Sequence, residues 1–469
     1  MRATKLVCTI GPASEGRVGE LIEAGMDVAR INCSHGDRQE HDRLVRAVRT
    51  AAQEAGRAVG VMADLSGPKV RLGDLDGGEV TLETGGRFVL RSGGGGDAGG
   101  APTTYPDLAT ELEAGDRILL ADGAAELAVV ATSGGEVVTE VVRGGAIRSR
   151  SGVNVPSERL GIPAITPKDE EDLAWAIEAG TDMVAQSFVR RAFDVRALRG
   201  LIGQPRPLLV AKIETRAAVD DAPAIMEAAD AVIVARGDLG VETPLAEIPV
   251  HQKRLVAMAN RAAVPVIVAT QMLESMITAP RPTRAEAGDV AGAVFDGADA
   301  IMLSAETAIG SFPVEAAGTA VQILKAAETR GAEFLPAGRE PDALDLEELP
   351  LARAAAVVAR RGEPAAVACF TRTGLTARLL SAARPGVPIV AFSPDPRAVG
   401  QMTIFHGVRP LPIEAPEDTD GMIAAMDAGL RAAGLAEPGA GVVMVASSPA
   451  GQTHANLLKV HRVGTAGAG

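Results

Sequence analysis

Leu208-Leu209-Val210-Ala211-Lys212-Ile213-Glu214 runs a short apolar stretch straight into charge, and Ala231-Val232-Ile233-Val234-Ala235-Arg236-Gly237-Asp238, whose aspartate lies 24 residues beyond that glutamate, does the same. Apolar runs of this length suit strands buried on both faces. Charge at their ends falls where loops leave the carboxyl ends of parallel strands and project side chains into one crevice. Glu214 and Asp238 offer oxygen ligands to a hard divalent cation, with coordination positions left for substrate and water. Lys212 places a second positive charge beside it. A migrating phosphoryl group and a developing enolate both gather negative charge on oxygen, and metal plus lysine answers either. For any one of these residues alone, a solvated strand-end charge is the plain alternative.

Runs of the same kind recur at 5–10, 27–31, 58–63, 183–187, 265–270 and 300–303, making eight with the first two. Helix-period segments at 16–24, 37–55, 217–228, 249–261 and 283–295 lie between most of them. Eight parallel strands alternating with helices predict a (β/α)8 TIM barrel with its working face at the carboxyl rim. Residues 73–154 break the alternation with short strands and turn signals, and read as an inserted β-barrel lid. The barrel is therefore expected over 1–72 and 155–335. An acidic, proline-bearing linker at 331–350 leads to a C-terminal open-sheet α/β unit over 345–469, with strands near 366–370, 388–392, 408–412, 441–446 and 457–463.

The composition narrows the class of function. A chain of 469 residues with 47% hydrophobic content builds two or three cores. No apolar run reaches the roughly 18 residues of a membrane span, and the first residues carry no signal-peptide core, so cytoplasm is the expectation. Three cysteines, Cys8, Cys33 and Cys369, show no paired spacing and give neither a disulfide framework nor a zinc site. A net charge of -14 with nine Phe, one Trp and one Tyr excludes a basic, stacking nucleic-acid surface and favours a small-molecule partner. Only seven of the 46 basic residues are lysines. Lysine is kept where a compact point charge serves better than a planar fork, and Lys69, Lys168 and Lys212 all stand beside motifs.

Those motifs are KLVCTIGP (5–12), ARINCSHG (29–36), DLSGPKVR (64–71), KIE (212–214), ARGDLG (235–240), ATQMLESMI (269–277), PRPTRAE (280–286) and LSAET (303–307). Together, in this order, they resemble pyruvate kinase. The resemblance implies phosphoryl transfer from phosphoenolpyruvate to ADP. It matches Lys212 to the residue stabilising the moving phosphoryl group, and Glu214 and Asp238 to ligands of Mg2+ (or Mn2+). Gly237, Asp238 and their neighbours match the amides that hold the substrate carboxylate. Thr270, with Ser304 as a relay partner, matches the site of enolate protonation. Arg30 offers a planar fork to phosphoryl oxygens. Asn32, Ser34, His35, Arg71 and Lys168 match positions near nucleotide phosphates.

A K+ pocket in the family is formed by residues matching Asn32, Ser34, Asp64 and the carbonyl of Leu65. Here Lys69 stands where glutamate is usual, and its ammonium is expected to replace the ion. Cys33 and Ala305 also depart from the common pattern without removing a functional atom. In the C-terminal unit, Thr371, Arg372, Thr373, Gly374 and Thr376 follow a strand and open a helix, a nest of donors for a phosphorylated effector. The family suggests a homotetramer. Two other readings stay open: a Mg2+-dependent barrel lyase working through a pyruvate enolate, and a non-catalytic metabolite sensor.

Overall fold

The computed structural model of the protein describes residues 2–121, 123–155, 161–203, 206–335, 348–450 and 454–465. Eight parallel strands close a barrel in chain order: β1 (Lys5–Thr9), β2 (Val28–Asn32), β3 (Gly60–Asp64), β4 (Met183–Gln186), β5 (Leu208–Ile213), β6 (Ala231–Ala235), β7 (Val266–Ala269) and β8 (Ala300–Leu303). β8 returns to β1, with Lys5 opposite Ala300. The two-residue alternation of strands divides their side chains between two cores. Val7, Val28, Met62, Val210, Ile233, Ile267 and Met302 fall in one buried cluster. Their chain neighbours Leu6, Ala29, Val61, Leu209, Val232, Val268 and Ile301 pack with the helix faces in another. Both faces must be apolar, which is why the runs read as continuous rather than alternating.

Between β3 and β4 the chain builds a six-stranded sheet and a two-stranded one. Their own core holds Phe88, Leu90, Ile118, Leu120, Leu127 and Val141. The strand Ala125–Ser133, not expected from the sequence, is the longest of these and pairs antiparallel with Glu136–Arg143. Helix Pro167–Glu178 re-enters the barrel with a capping box, Thr166 to Asp169, and Asp169 Oδ1 also accepts the Gly67 N–H at 2.9 Å. That bond ties the loop after β3 to the helix before β4.

The C-terminal sheet comprises β9 (Ala366–Phe370), β10 (Ile389–Ser393), β11 (Val408–Pro412), β12 (Gly441–Ala446) and β13 (Leu457–Arg462), in the order β11-β10-β9-β12-β13 with only the last antiparallel. Helices Pro396–Gln401 and Thr419–Ala432 flank it, neither anticipated from the sequence. This unit sits against the amino end of the barrel. Gly407 N–H donates to Ala3 O at 2.8 Å and Gln401 Nε2 to Arg206 O at 3.0 Å. Gly60 is required there, because an added Cβ would come within 2.4 Å of Thr403 Oγ1 and 2.9 Å of Gly400 O.

The expected helix 217–228 is two: Arg216–Asp220 and Ala222–Ala228. The second restarts with Pro223 in its first turn, where a missing N–H has no partner to lose. Most of the expected linker, 336–347, lies outside the described residues.

Candidate active site

Five strand ends bring charge together at the carboxyl rim. Arg30, within β2, directs Nε to Asp64 Oδ2 at 2.6 Å and Nη1 to Thr9 Oγ1 at 3.0 Å. Lys212, near the end of β5, donates from Nζ to Ser187 Oγ at 2.7 Å and lies 3.4 Å from both Asp64 Oδ1 and Glu214 Oε2. Ser187 Oγ in turn donates to Leu65 O at 2.7 Å. Strand β5 runs two residues further than its apolar core suggested, so Lys212 is held by barrel pairing, opposite Ile233 of β6, rather than by a loop.

Burial disfavours charge on Lys212, but Asp64 and Glu214 outweigh it and hold the ammonium pKa above the ordinary lysine value. Burial likewise opposes the charge of Asp64, and Lys212 with Arg30 overcomes it, leaving that carboxyl below the usual range. Glu214 comes out the other way. Burial dominates, Lys212 offsets only part of it, and like charge from Asp238 adds to it, so its carboxyl is pushed up to about 7.

Glu214 Oε1 accepts the Phe188 N–H at 2.6 Å, whereas Oε2 is buried without a hydrogen-bond partner. A buried acceptor left this way costs about 1–3 kcal/mol. Phe188 itself sits at φ 53°, in the left-handed region. Asp238 is half-buried in the first turn of helix Arg236–Glu242. Two carboxylates, one with a bare oxygen, fit a hard cation that takes oxygen ligands. Among the described residues no group of three or more His, Cys, Asp or Glu is poised to hold a metal, so such a cation would complete its shell from substrate and water.

Across the rim, Thr270 Oγ1 accepts the Gly237 N–H at 2.7 Å and donates to Ala269 O at 2.6 Å. Thr270 and Gln271 both have left-handed backbones, φ 68° and 54°. Ser304 directly follows β8, but its N–H donates to Glu306 Oε2 at 2.8 Å, and Glu306 Oε1 accepts from Leu273 N–H at 3.1 Å. Among the described residues Thr270 Oγ1 thus engages Gly237 and Ala269 rather than Ser304. Met272, Leu273 and Met276 are fully buried, as a packing role requires. In PRPTRAE, Glu286 caps its helix through Thr283 and accepts from Ser275, which makes that segment a rim network within the chain.

The loop after β2 gathers the candidate nucleotide residues. Asn32 Oδ1 accepts the Ser34 N–H at 3.2 Å, and Lys168 Nζ donates to Cys33 O at 2.7 Å and to Asp172 at 2.5 Å. The His35 side chain is exposed, and its carbonyl meets His41 Nε2 at 2.7 Å. Arg71 leans into the inserted unit, its N–H on Thr104 Oγ1 at 2.9 Å and Nη1 on Arg150 O at 3.2 Å. Lys69 is half-buried and lines a cavity with Asn154, Phe188, Arg190, Thr215 and Glu242. In the C-terminal unit Thr371 Oγ1 accepts the Gly374 N–H at 3.0 Å. Gly374, at φ 85°, starts helix Leu375–Ala383 beside a cavity of about 120 Å³ that Arg372, Thr373, Thr376 and Ser447 help to line.

Two site features escaped the sequence. Ser187 only closes the run 183–187, and its bond to Lys212 depends on a β4–β5 register that no motif reveals. Arg236, quoted within ARGDLG but given no role, reaches across to the β7 loop.

The sequence signature described as pyruvate kinase, barrel domain matches residues 1–317, and that of the pyruvate kinase alpha/beta domain matches 350–461. The chain is 43% identical to a pyruvate kinase of Mycobacterium tuberculosis over 99% of both chains. It is 41% identical to one from Geobacillus stearothermophilus over 98% of this chain and 80% of that protein. Its fold is similar to the crystal structure of a pyruvate kinase from Cryptosporidium parvum, with a TM-score of 0.90 and 32% identity over 98% of this chain and 96% of the other.

Proposed function

The chain belongs to the pyruvate kinase family and transfers the phosphoryl group of phosphoenolpyruvate to ADP, giving ATP and pyruvate, and we propose that Arg30, Lys212, Glu214, Asp238 and Thr270 carry that step. The observation behind this is the bare Oε2 of Glu214 beside the Lys212 ammonium. A divalent ion, Mg2+ by the hardness of its two carboxylate ligands, would be held by Glu214 and Asp238 and would neutralise phosphate and enolate oxygens.

Arg30 presents its fork to the phosphoryl oxygens, and the rigid Asp64 contact fixes its plane. Lys212, kept charged by Asp64 and Glu214, stabilises the negative charge that builds as the P–O bond to the enol oxygen breaks and the bond to the ADP oxygen forms. Backbone N–H groups opening helix Arg236–Glu242, that of Asp238 among them, are assigned to the substrate carboxylate, with the Gly237 N–H resting on Thr270 Oγ1. Thr270 Oγ1 stands where the enolate carbon receives its proton, relayed from water, since a threonine hydroxyl is a poor acid or base by itself. Asn32, Ser34, His35, Arg71 and Lys168 are assigned to the nucleotide phosphates.

The lyase and sensor readings draw no support from the relatives. Pyruvate formation from phosphoenolpyruvate, followed with and without ADP and Mg2+, tests the assignment. Pyruvate appearing without ADP would restore the lyase.

Lys69 is proposed to stand in for K+. Lys69 lines the cavity of Asn154, Phe188 and Glu242 rather than a pocket with Asn32, Ser34 and Asp64, so the reading rests on repulsion between two nearby cations and on Asp64 already serving Arg30 and Lys212. The enzyme is expected to turn over in sodium-only buffer, with Lys69→Glu losing activity and regaining it on added K+. A wild-type rate rising many-fold with K+ at constant ionic strength would refute this. The loop from Thr371 to Thr376 is proposed to bind a phosphorylated effector, and the enzyme to act in the cytoplasm as a homotetramer. No described helix is long and apolar enough to cross a membrane.

A further inference from the structure

Two consecutive non-glycine residues with left-handed backbones are uncommon, and a β-branched threonine there is a true outlier that persists only when its surroundings over-determine it. Thr270 and Gln271 form such a pair. One side chain binds the carbonyls of both. Arg236 donates from Nη2 to Thr270 O and Gln271 O, both at 2.9 Å, and from Nε to Thr270 O at 3.3 Å. Its remaining nitrogen, Nη1, meets Asp289 Oδ2 at 3.1 Å and Gln252 Oε1 at 3.5 Å. Gln252 is itself fixed by Asp296 at 2.9 Å. The Arg236 side chain is 10% exposed, while Asp289 at its outer end is open to solvent.

We propose that Arg236 is a positioning residue for the proton-transfer half of the reaction: by clamping both left-handed carbonyls it aims Thr270 Oγ1 at Gly237 and the substrate carbon. Arg236 opens the helix whose next residue, Gly237, donates its N–H to Thr270 Oγ1. One residue therefore fixes both partners of that contact, its backbone on the β6 side and its side chain on the β7 side. Lysine in its place has no fork with which to reach two carbonyls and Asp289 together. The inference rests on the role assigned above to Thr270.

The reverse of the protonation step is loss of a methyl proton from pyruvate to give the enolate, read by NMR as deuteration of the methyl group in D2O with Mg2+ and ATP present. Arg236→Met and Arg236→Lys are expected to slow deuteration by about ten- to hundred-fold, the scale of a small misplacement at a reacting atom. Mn2+ affinity, titrated on the same proteins, should stay within about threefold of wild type on the same reasoning, since Glu214 and Asp238 remain. Thermal unfolding confirms that each variant is folded. Gln271→Gly placed on Arg236→Met should recover several-fold of the lost rate, because glycine adopts the left-handed region without strain.

Unchanged deuteration in both arginine variants overturns the proposal, as does a parallel loss of Mn2+ affinity or a double variant no better than Arg236→Met. Thr270→Ala separates the two failures. If it loses deuteration while the arginine variants keep it, only the Arg236 role falls; if it keeps deuteration, the Thr270 assignment falls first and carries this one with it.

Discussion

The two ends of the barrel are built on opposite rules. At the amino end, Asp27, Asp182, Asp230 and Asp299 stand just before β2, β4, β6 and β8. Each accepts a backbone N–H from the strand before: Leu6 at 2.9 Å, Val61 at 2.7 Å, Leu209 at 2.9 Å and Val266 at 2.9 Å. Each is also paired with an arginine: Arg2 at 2.5 Å, Arg49 at 3.0 Å, Arg199 at 3.2 Å and Arg384 at 3.1 Å. The device is repeated on every second strand. At the carboxyl rim nothing repeats. Phe188, Thr270 and Gln271 are forced left-handed, and Glu214 keeps an oxygen without a donor. One end pairs its aspartates with N–H groups and arginines and holds the barrel closed, though Thr4 Oγ1 is buried there without a partner. The other retains strain and unmet electrostatic demand, which a bound substrate and cation would relieve. This division is the one expected of the fold, with stability at the bottom and chemistry at the top.

The comparison breaks most sharply at Lys212. Lys212→Met is expected to cut turnover by about 3 kcal/mol or more, the scale for removing a donor that acts on transition-state charge. The unfolding midpoint is expected to fall only modestly by comparison, since Asp64 and Glu214, which outweigh burial for the ammonium, lose its charge but Asp64 keeps Arg30. Steady-state rates and a denaturant titration measure both. Near-normal turnover would defeat the assignment. A collapse in stability would show that the rim holds the barrel together after all.

Asp182→Ala asks the reciprocal question at the other end. It leaves the buried Val61 N–H without its acceptor and Arg49 without its carboxylate. The expected loss is about 1–3 kcal/mol of stability, with turnover per folded molecule unchanged. If turnover falls while stability holds, the division between the two ends is wrong.

The sequence made the rim far more legible than the base. Lys212, Glu214 and Asp238 announce themselves because charge that ends an apolar run has few structural reasons to be there, and eight such runs fix the barrel. The four aspartates were passed over, although each follows a pair of small or flexible residues such as Gly25-Met26, Gly180-Thr181, Ala228-Ala229 or Gly297-Ala298. A strand-start carboxylate gains meaning only once its neighbour's N–H is known to point at it, and that is a matter of register. Arg236 was hidden for a related reason. Its acceptors are backbone carbonyls 34 and 35 residues away, and carbonyls carry no signature in sequence. Thr270 was named as a site residue, but its left-handed backbone was not foreseen, since threonine is among the last residues that conformation would suggest.

Lys5 gives the finest test, because it is an amino-end cation that the aspartate pattern does not fully satisfy. It is 5% exposed, and its Nζ donates to Val408 O at 2.5 Å across to the C-terminal unit. Burial lowers its pKa from 10.5 to about 8, with Asp27 pulling the other way and Arg2 and Arg57 assisting the drop. Below about 8 both folded and unfolded chains hold the proton, and the folded state bears the cost of a buried charge. Between about 8 and 10.5 the unfolded chain binds more protons than the folded one, so stability rises with pH across that window. Lys5→Met removes the charge and also the bond to Val408. The full shift corresponds to about 3 kcal/mol at most, and the lost hydrogen bond returns about 1 kcal/mol or more. A modest net stabilisation is therefore expected at pH 7, shrinking as pH rises through the window, read as the difference in denaturant midpoints between the two proteins. A variant destabilised equally at every pH would mean that the Val408 contact outweighs the buried charge, and Lys5 would then be a satisfied cation of the amino end.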